Sequence, residues 1–352
     1  MTAEAQSVLV YRLGSLGDTC VALPAFRLIR RAYPQARITL LTNLPVAVKA
    51  APAPALLEGL GLVDYYMAYP VGTRNPITLA RLGWRLRRRS FSAVVNLAAW
   101  RGLRHLRRDA FFFRLCGIRQ RVGFDSLSGH ELRTLANGET EKEATRLLRR
   151  VATLGEADLH DRRWFDLNLP AAELKAAREL LAGASIADNY IVFSIGTKIS
   201  ANDWGHQNWH CLIQTLSGNS PTLGGVFIGS ADEAARASEF LEGWSGPRLN
   251  LCGRLAPRSS AAVLAGARLF VGHDSGPMHL AAAAGTSCVA IFSARNPPGQ
   301  WFPLGEGHDV LYRRVECMGC GLDECLIEKK RCIGSISVEE VAATVSRRLA
   351  RA

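Results

Sequence analysis

The 352-residue chain has no apolar run of the ~18–20 residues that a membrane-spanning helix needs. Its opening residues, MTAEAQ, lack the basic start and apolar core of a signal peptide, which leads to the expectation of a cytoplasmic protein. There is no G-x-G-x-x-G, and the second expected strand ends Leu40-Leu41-Thr42-Asn43 without the acid that would hold a ribose. Both absences argue against a dehydrogenase using a dinucleotide. No paired carboxylates of the Asp-x-Asp kind stand where a catalytic metal would need them. Negative charge is short as well: 31 Asp and Glu against 43 Lys and Arg, a net charge of +12 at pH 7. Such an excess favours an anionic partner, whether nucleic acid, an anionic membrane face or a phosphorylated substrate.

The positive charge is unevenly spread. Arg81, Arg85, Arg87, Arg88 and Arg89 form one cluster, and Arg101, Arg104, Arg107 and Arg108 form another. They are either solvated helix faces or points of attachment to anionic lipid or an anionic acceptor. Nucleic acid is the weaker reading, because no reading module or set of aromatic stacking platforms accompanies them.

The length suits two domains better than one. Short β-prone runs alternate with helical segments: Ser7–Leu13, Arg37–Thr42, Val63–Tyr69, Ala93–Leu97 and Arg121–Phe124 in the first half. A buried crossover helix is expected over Cys20–Tyr33, stopped by Pro34. After a break near Trp164–Pro170 comes a helix, Ala171–Ala182. The alternation then resumes with Tyr190–Ile195, Gly225–Ile228, Leu249–Cys252, Leu269–Gly272 and Cys288–Phe292. A capping box at Ser337 and Glu340 should open a last helix, Val338–Leu349. The pattern predicts an α/β protein with two doubly wound parallel sheets, residues 1–168 and 169–352, and ligands in a cleft between their strand carboxyl ends.

Two loops carry the chemistry. In Leu269-Phe-Val-Gly-His-Asp-Ser-Gly-Pro-Met-His, a strand runs through Asp274, Ser275 and Gly276 into a helix expected to start at Pro277. The N–H groups of Ser275, Gly276 and Met278 would then meet the positive end of the helix dipole, a site suited to a pyrophosphate. The other loop, RLGSLGDT, has Gly14, Ser15 and Gly17 and ends in Asp18. Asp18 is either a cap on the following helix or a general base.

Those two motifs, HDSGPMHLAAAAG and RLGSLGDTCVALPAFRLIRRAYP, resemble family 9 glycosyltransferases, the lipopolysaccharide heptosyltransferases and their relatives. Gly196-Thr-Lys198, Asp203-Trp-Gly, Asn208-Trp209 and the run of cysteines ending CIGSISVEEV extend the likeness over nearly the whole chain. The resemblance implies a GT-B fold, two Rossmann-like domains facing across a cleft, with the acceptor bound by the first and the nucleotide sugar by the second. It implies transfer of a sugar from a donor such as ADP-heptose to a lipid-linked glycan, with Asp18 matching the family's proposed base. Asp274 and His279 would touch the sugar or diphosphate. The family commonly has lysine where this chain has Asn202, and Lys198 is the nearest substitute. No cofactor or metal is expected beyond the donor. The place of work would be the inner face of the cytoplasmic membrane.

Of nine cysteines, Cys20, Cys116, Cys211, Cys252 and Cys288 read as small core residues. Cys317, Cys320, Cys325 and Cys332 are either a zinc site of unfamiliar spacing or free thiols. Two other functional classes remain in view: a sugar-nucleotide epimerase of the same architecture, and a basic protein binding membrane or nucleic acid.

Overall fold

The computed structural model describes residues 7–43, 51–70, 72–125, 129–219 and 221–351, so the opening MTAEAQ lies outside the described residues. The chain divides into two units, Met1–Leu135 with Glu141–Phe165, and Ala136–Thr140 with Asp166–Ala352.

The first unit holds five parallel strands: β1 (Ser7–Tyr11), β2 (Arg37–Asn43), β3 (Tyr65–Tyr69), β4 (Ala93–Asn96) and β5 (Gln120–Val122). They lie in the order β3-β2-β1-β4-β5. The central β1, Ser-Val-Leu-Val-Tyr, is buried along nearly its whole length, as a β-branched strand covered on both faces should be. On one face Leu9, Leu41 and Val94 pack with Leu82 and Leu86 of the helix Pro76–Arg88 and Phe113 of the helix Leu103–Leu115.

The second unit holds β6 (Tyr190–Ser194), β7 (Gly224–Phe227), β8 (Arg248–Asn250), β9 (Leu269–His273), β10 (Cys288–Ile291) and β11 (Asp309–Leu311). Their order is β11-β10-β9-β6-β7-β8, again all parallel. Phe193 stacks on Phe227 at 5.2 Å and meets Trp244 edge-on at 5.7 Å, anchoring the core on this sheet. Aromatic pairs of this kind add about 0.5–1.5 kcal/mol beyond the area they bury.

The ten expected strands are all present within two residues of their expected bounds, and the helices Ala171–Ala182 and Val338–Leu349 occupy their expected spans. Ser337 accepts the Glu340 N–H, as its capping pattern predicts. The edge strand β11 was not expected, being three half-exposed residues without a strand pattern. Two expectations are corrected. The first crossover helix spans Leu16–Ala32, starting four residues before Cys20, because Ser15 caps it. The segment Ala136–Thr140, read as part of the first domain, belongs to the second unit. There the Thr140 N–H donates to the Pro298 carbonyl at 2.7 Å. Gly299, at φ +103°, leaves room for this strap, since a Cβ there would lie 2.1 Å from the Thr140 carbonyl oxygen.

Candidate active site

In the first sheet the strand order reverses between β1 and β4, which puts the loop after β1 at a switch point, where open α/β sheets take ligands. Gly14 in that loop has φ +145°, and its N–H donates to Asn43 Oδ1 at 2.9 Å, at the end of β2. A Cβ at Gly14 would lie 2.4 Å from Asp18 Cβ, so only glycine lets the aspartate fold back over the loop. Asp18 Oδ2 accepts the Ser15 N–H at 2.8 Å and the Ser15 hydroxyl at 3.2 Å. This is the return arm of a capping box, with aspartate in place of the usual Glu or Gln. Gly17 is buried in the same turn.

The second carboxylate oxygen, Oδ1, lies 3.5 Å from Arg12 Nη2, which also donates to the Asp18 carbonyl at 2.8 Å. Arg12 is buried, with Nη1 on the Leu97 carbonyl at 2.6 Å and 4.0 Å from Glu143. Glu143 in turn receives two donors from the buried Arg146, at 2.8 and 2.5 Å. Burial, with the nearby positive charge of Arg146, pushes Arg150 down to about 9, still cationic at neutral pH. Three buried arginines therefore back a carboxylate whose side chain remains 28% exposed. A fixed, accessible carboxylate at a switch point has the geometry to take a proton from a bound hydroxyl.

The second sheet reverses between β6 and β9. From His273 at the end of β9 the chain passes through Asp274 into the helix Gly276–Ala284, with Ser275 as its N-cap. Pro277 is the second helical residue and not the first as expected; its missing N–H costs nothing anywhere in the opening turn. The Ser275 carbonyl accepts the Met278 N–H at 3.2 Å, and the Met278 side chain is core. Met278 is thereby corrected: its N–H is spent within the helix. Ser275 Oγ is buried with no hydrogen-bond partner among the described residues, and the Ser275 and Gly276 N–H groups stand at the positive end of the dipole. His279 is buried in the same turn, Nε2 3.9 Å from Asp274 Oδ1 and its ring edge-on to Trp301.

After β6, Lys198 is exposed. Asn202 is buried and accepts the Ser293 hydroxyl at the end of β10, so the position of the family lysine carries a structural amide in this chain. Glu233 was not expected. Its carboxylate closes over two glycines: a Cβ at Gly196 would lie 2.0 Å from Glu233 Cδ, and one at Gly229 would lie 2.1 Å from Oε2. Ser230 Oγ donates to Oε1, while Oε2 is buried without a partner among the described residues. Burial raises the Glu233 carboxyl above its ordinary range. Arg236 donates to the Ile195 carbonyl at 2.6 Å and lies 3.9 Å from Asp203, whose carbonyl accepts from Lys330 at 3.3 Å. His273 Nε2 accepts the Trp204 N–H at 3.0 Å and the Trp209 indole at 3.2 Å, which requires a neutral ring. Burial pushes it down to about 4 against the pull of Asp203, with Arg236 adding to the effect.

The family model described as Glycosyltransferase family 9 (heptosyltransferase) matches residues 79–331, well over half the chain. The chain belongs to glycosyltransferase family 9. A stretch of 129 residues is 26% identical to lipopolysaccharide heptosyltransferase 3 of Escherichia coli, covering 36% of this chain and 38% of that one. Another, of 124 residues, is 35% identical to lipopolysaccharide heptosyltransferase 1 of Pseudomonas aeruginosa, covering 34% of this chain and 33% of the relative. These alignments thus span little more than a third of the relatives' length. Among solved structures, the family 9 glycosyl transferase of Veillonella parvula overlays with TM-score 0.74 at 16% identity, covering 100% of this chain and 99% of that one. E. coli heptosyltransferase WaaC with ADP-2-deoxy-2-fluoro heptose overlays at 0.63 and 16% identity, with 97% and 99% covered. The likeness supports the expected GT-B fold.

The cysteines of this family 9 chain depart from one expectation and bear on an open alternative. Cys211 is half-buried, not core, and accepts from Gln207 at 3.3 Å. Cys317, Cys320, Cys325 and Cys332 are free, and no group of three metal-binding side chains assembles among the described residues, so the zinc reading is not carried by the geometry. Cys325 instead accepts the Lys330 N–H at 3.3 Å.

The sequence missed Glu233, Arg236 and Lys330. Gly196 and Gly229, each two residues past a strand end, were the available signal of a close approach, but they do not say which side chain approaches.

Proposed function

We propose that this family 9 protein transfers a sugar, a heptose carried on an ADP-linked donor, to a hydroxyl of a lipopolysaccharide-type glycan, with inversion at the anomeric carbon. One observation carries the reading: an accessible carboxylate and a helix start with an unpaired serine hydroxyl each occupy the switch point of their own sheet. The first unit takes the acceptor, on the loop of Gly14, Ser15 and Gly17. The second takes the donor. As the acceptor oxygen bonds to the anomeric carbon, its proton passes to Asp18 Oδ1. The bond from that carbon to the β-phosphate oxygen breaks, and ADP leaves with the electron pair. Ser275 Oγ, the Ser275 and Gly276 N–H groups and the helix dipole receive the new negative charge.

Lys198 supplies the cation from the loop after β6, since Asn202 is bound to Ser293. Asp274 and His279 contact the sugar or the diphosphate. Glu233 Oε2, an acceptor without a donor, suits a ribose hydroxyl of the nucleotide. The donor class is supported by the relative solved with an ADP-heptose analogue. Charge neutralisation by a helix start and a lysine leaves no step that calls for a metal. A lipid-linked acceptor puts the work at the inner face of the cytoplasmic membrane, as a peripheral protein.

A thermal-shift panel of nucleotides tests the donor assignment. At a hundred times Kd a ligand adds about 2.7 kcal/mol, a shift of a few degrees. ADP should give it; failure of every nucleoside diphosphate and nucleotide sugar to do so overturns the assignment.

A further inference from the structure

Between Asp64 and Asp109 the chain runs 44 residues with ten arginines and no carboxylate. The helices Pro76–Arg88 and Leu103–Leu115 lie in this stretch and just past it, packed on the same sheet face. They adjoin each other at Gly83, where a Cβ would be in ordinary contact with Cys116 Sγ (3.6 Å) and the Phe112 ring. Their outer faces repeat one pattern. On the first helix Ile77, Arg81, Trp84 and Arg88 form a stripe at spacings of four, three and four residues. On the second, Arg104, Arg108, Phe111 and Leu115 form another at the same spacings. Ile77, Trp84, Phe111 and Leu115 are each about 60% exposed. Arg88 lies 4.7 Å over the Trp84 ring, while Arg81, Arg85, Arg104 and Arg107 form no ion pair among the described residues.

We infer that this paired-helix face docks the first unit onto an anionic bilayer. The four apolar side chains enter the boundary between headgroups and acyl chains, and the arginines meet lipid phosphates. Large aliphatic and aromatic tips standing among arginines fit an interface that is apolar beneath and anionic above. A nucleic acid offers nothing to Ile77 or Leu115, and of the two exposed rings, Trp84 and Phe111, the first is covered by Arg88. The inference rests on the reading that the acceptor is lipid-linked, and it names the surface that brings the protein to it.

The test is flotation of the full chain with phosphatidylcholine vesicles, with and without phosphatidylglycerol. Wild type should float with the anionic vesicles alone, less so at high salt. The pair Trp84→Ser with Phe111→Ser should lose at least about 10-fold in partitioning at unchanged charge. The pair Arg81→Gln with Arg85→Gln should lose a similar factor and flatten the salt dependence. Both pairs should keep the wild-type thermal shift with ADP, which shows that they fold. Undiminished flotation of the apolar pair, or binding of single-stranded RNA in preference to vesicles at equal ionic strength, overturns the inference and leaves the donor reading intact. Absence of any ADP shift in the wild type overturns the donor reading instead, without altering what flotation reports.

Discussion

At the carboxyl edge of the first sheet, beyond its central strand, Asp18 is tied down by its own neighbours: Ser15 holds one oxygen and Arg12 lies against the other. At the edge of the second sheet, Ser275 Oγ and Glu233 Oε2 are buried with no partner among the described residues. The positive charge is distributed differently as well. Buried arginines stand behind Asp18, with Glu143 the carboxylate among them, whereas Arg236 and Lys330 are engaged by backbone carbonyls and Asp203. A base must be aimed before the acceptor arrives, because reorientation during the reaction adds to the barrier. A donor site does its work when the diphosphate and ribose supply the missing partners. The first edge is preassembled, and the second is completed by its ligand.

The largest expected break in this comparison comes from Asp18→Asn. The amide retains an oxygen for the Ser15 N–H, so the fold should hold, while transfer, followed by ADP release, should fall about 10²–10⁴-fold. On the other edge, Glu233→Gln removes an acceptor for a ribose hydroxyl. Titration calorimetry should show ADP affinity down by roughly 10–100-fold, the range for a hydrogen bond to a charged group. Apo stability should not fall, because the carboxylate replaced is buried and raised in pKa.

Gly14→Ala sharpens the contrast from the structural side. The φ of +145° and the 2.4 Å approach to Asp18 should cost about 1–3 kcal/mol, read as a lowered Tm. Transfer should suffer with it, while ADP affinity stays near wild type. The smallest effect is acid sensitivity. His273 and His130 are both pushed down to about 4, burial being the main cause. A depressed histidine contributes stability that is present above its unfolded pKa, near 6.5, and is lost as pH falls toward 4. Between pH 7 and pH 6 each should cost under about 1 kcal/mol. A Tm that rises over that interval would contradict the neutral rings.

Much of this was legible because the central strands, β1, β4, β6, β9 and β10, are mostly apolar runs buried on both faces, and such runs announce themselves. The turn at Asp274-Ser275-Gly276 was legible too, since strand, small polar residues and proline follow in order. Other features depend on partners distant in sequence. Ser15 starts the first helix by pairing with Asp18, and a Ser-x-x-Asp reads less plainly than Ser-x-x-Glu. The strap at Ala136–Thr140 is received by Gly299, and Asn202 is held by Ser293 from the loop after β10. Glu233 is positioned by glycines on two different strand ends. Local patterns carry the framework, and the close approaches across it are tertiary.

The central claim is the separation of roles between a preassembled base and a ligand-completed donor site. Titration of ADP into Asp18→Asn, paired with its transfer rate, tests it most directly. The account predicts a Kd within about twofold of wild type, with transfer reduced on the order of a hundredfold or more. An ADP affinity weakened as far as in Glu233→Gln, or transfer at the wild-type rate, would contradict it.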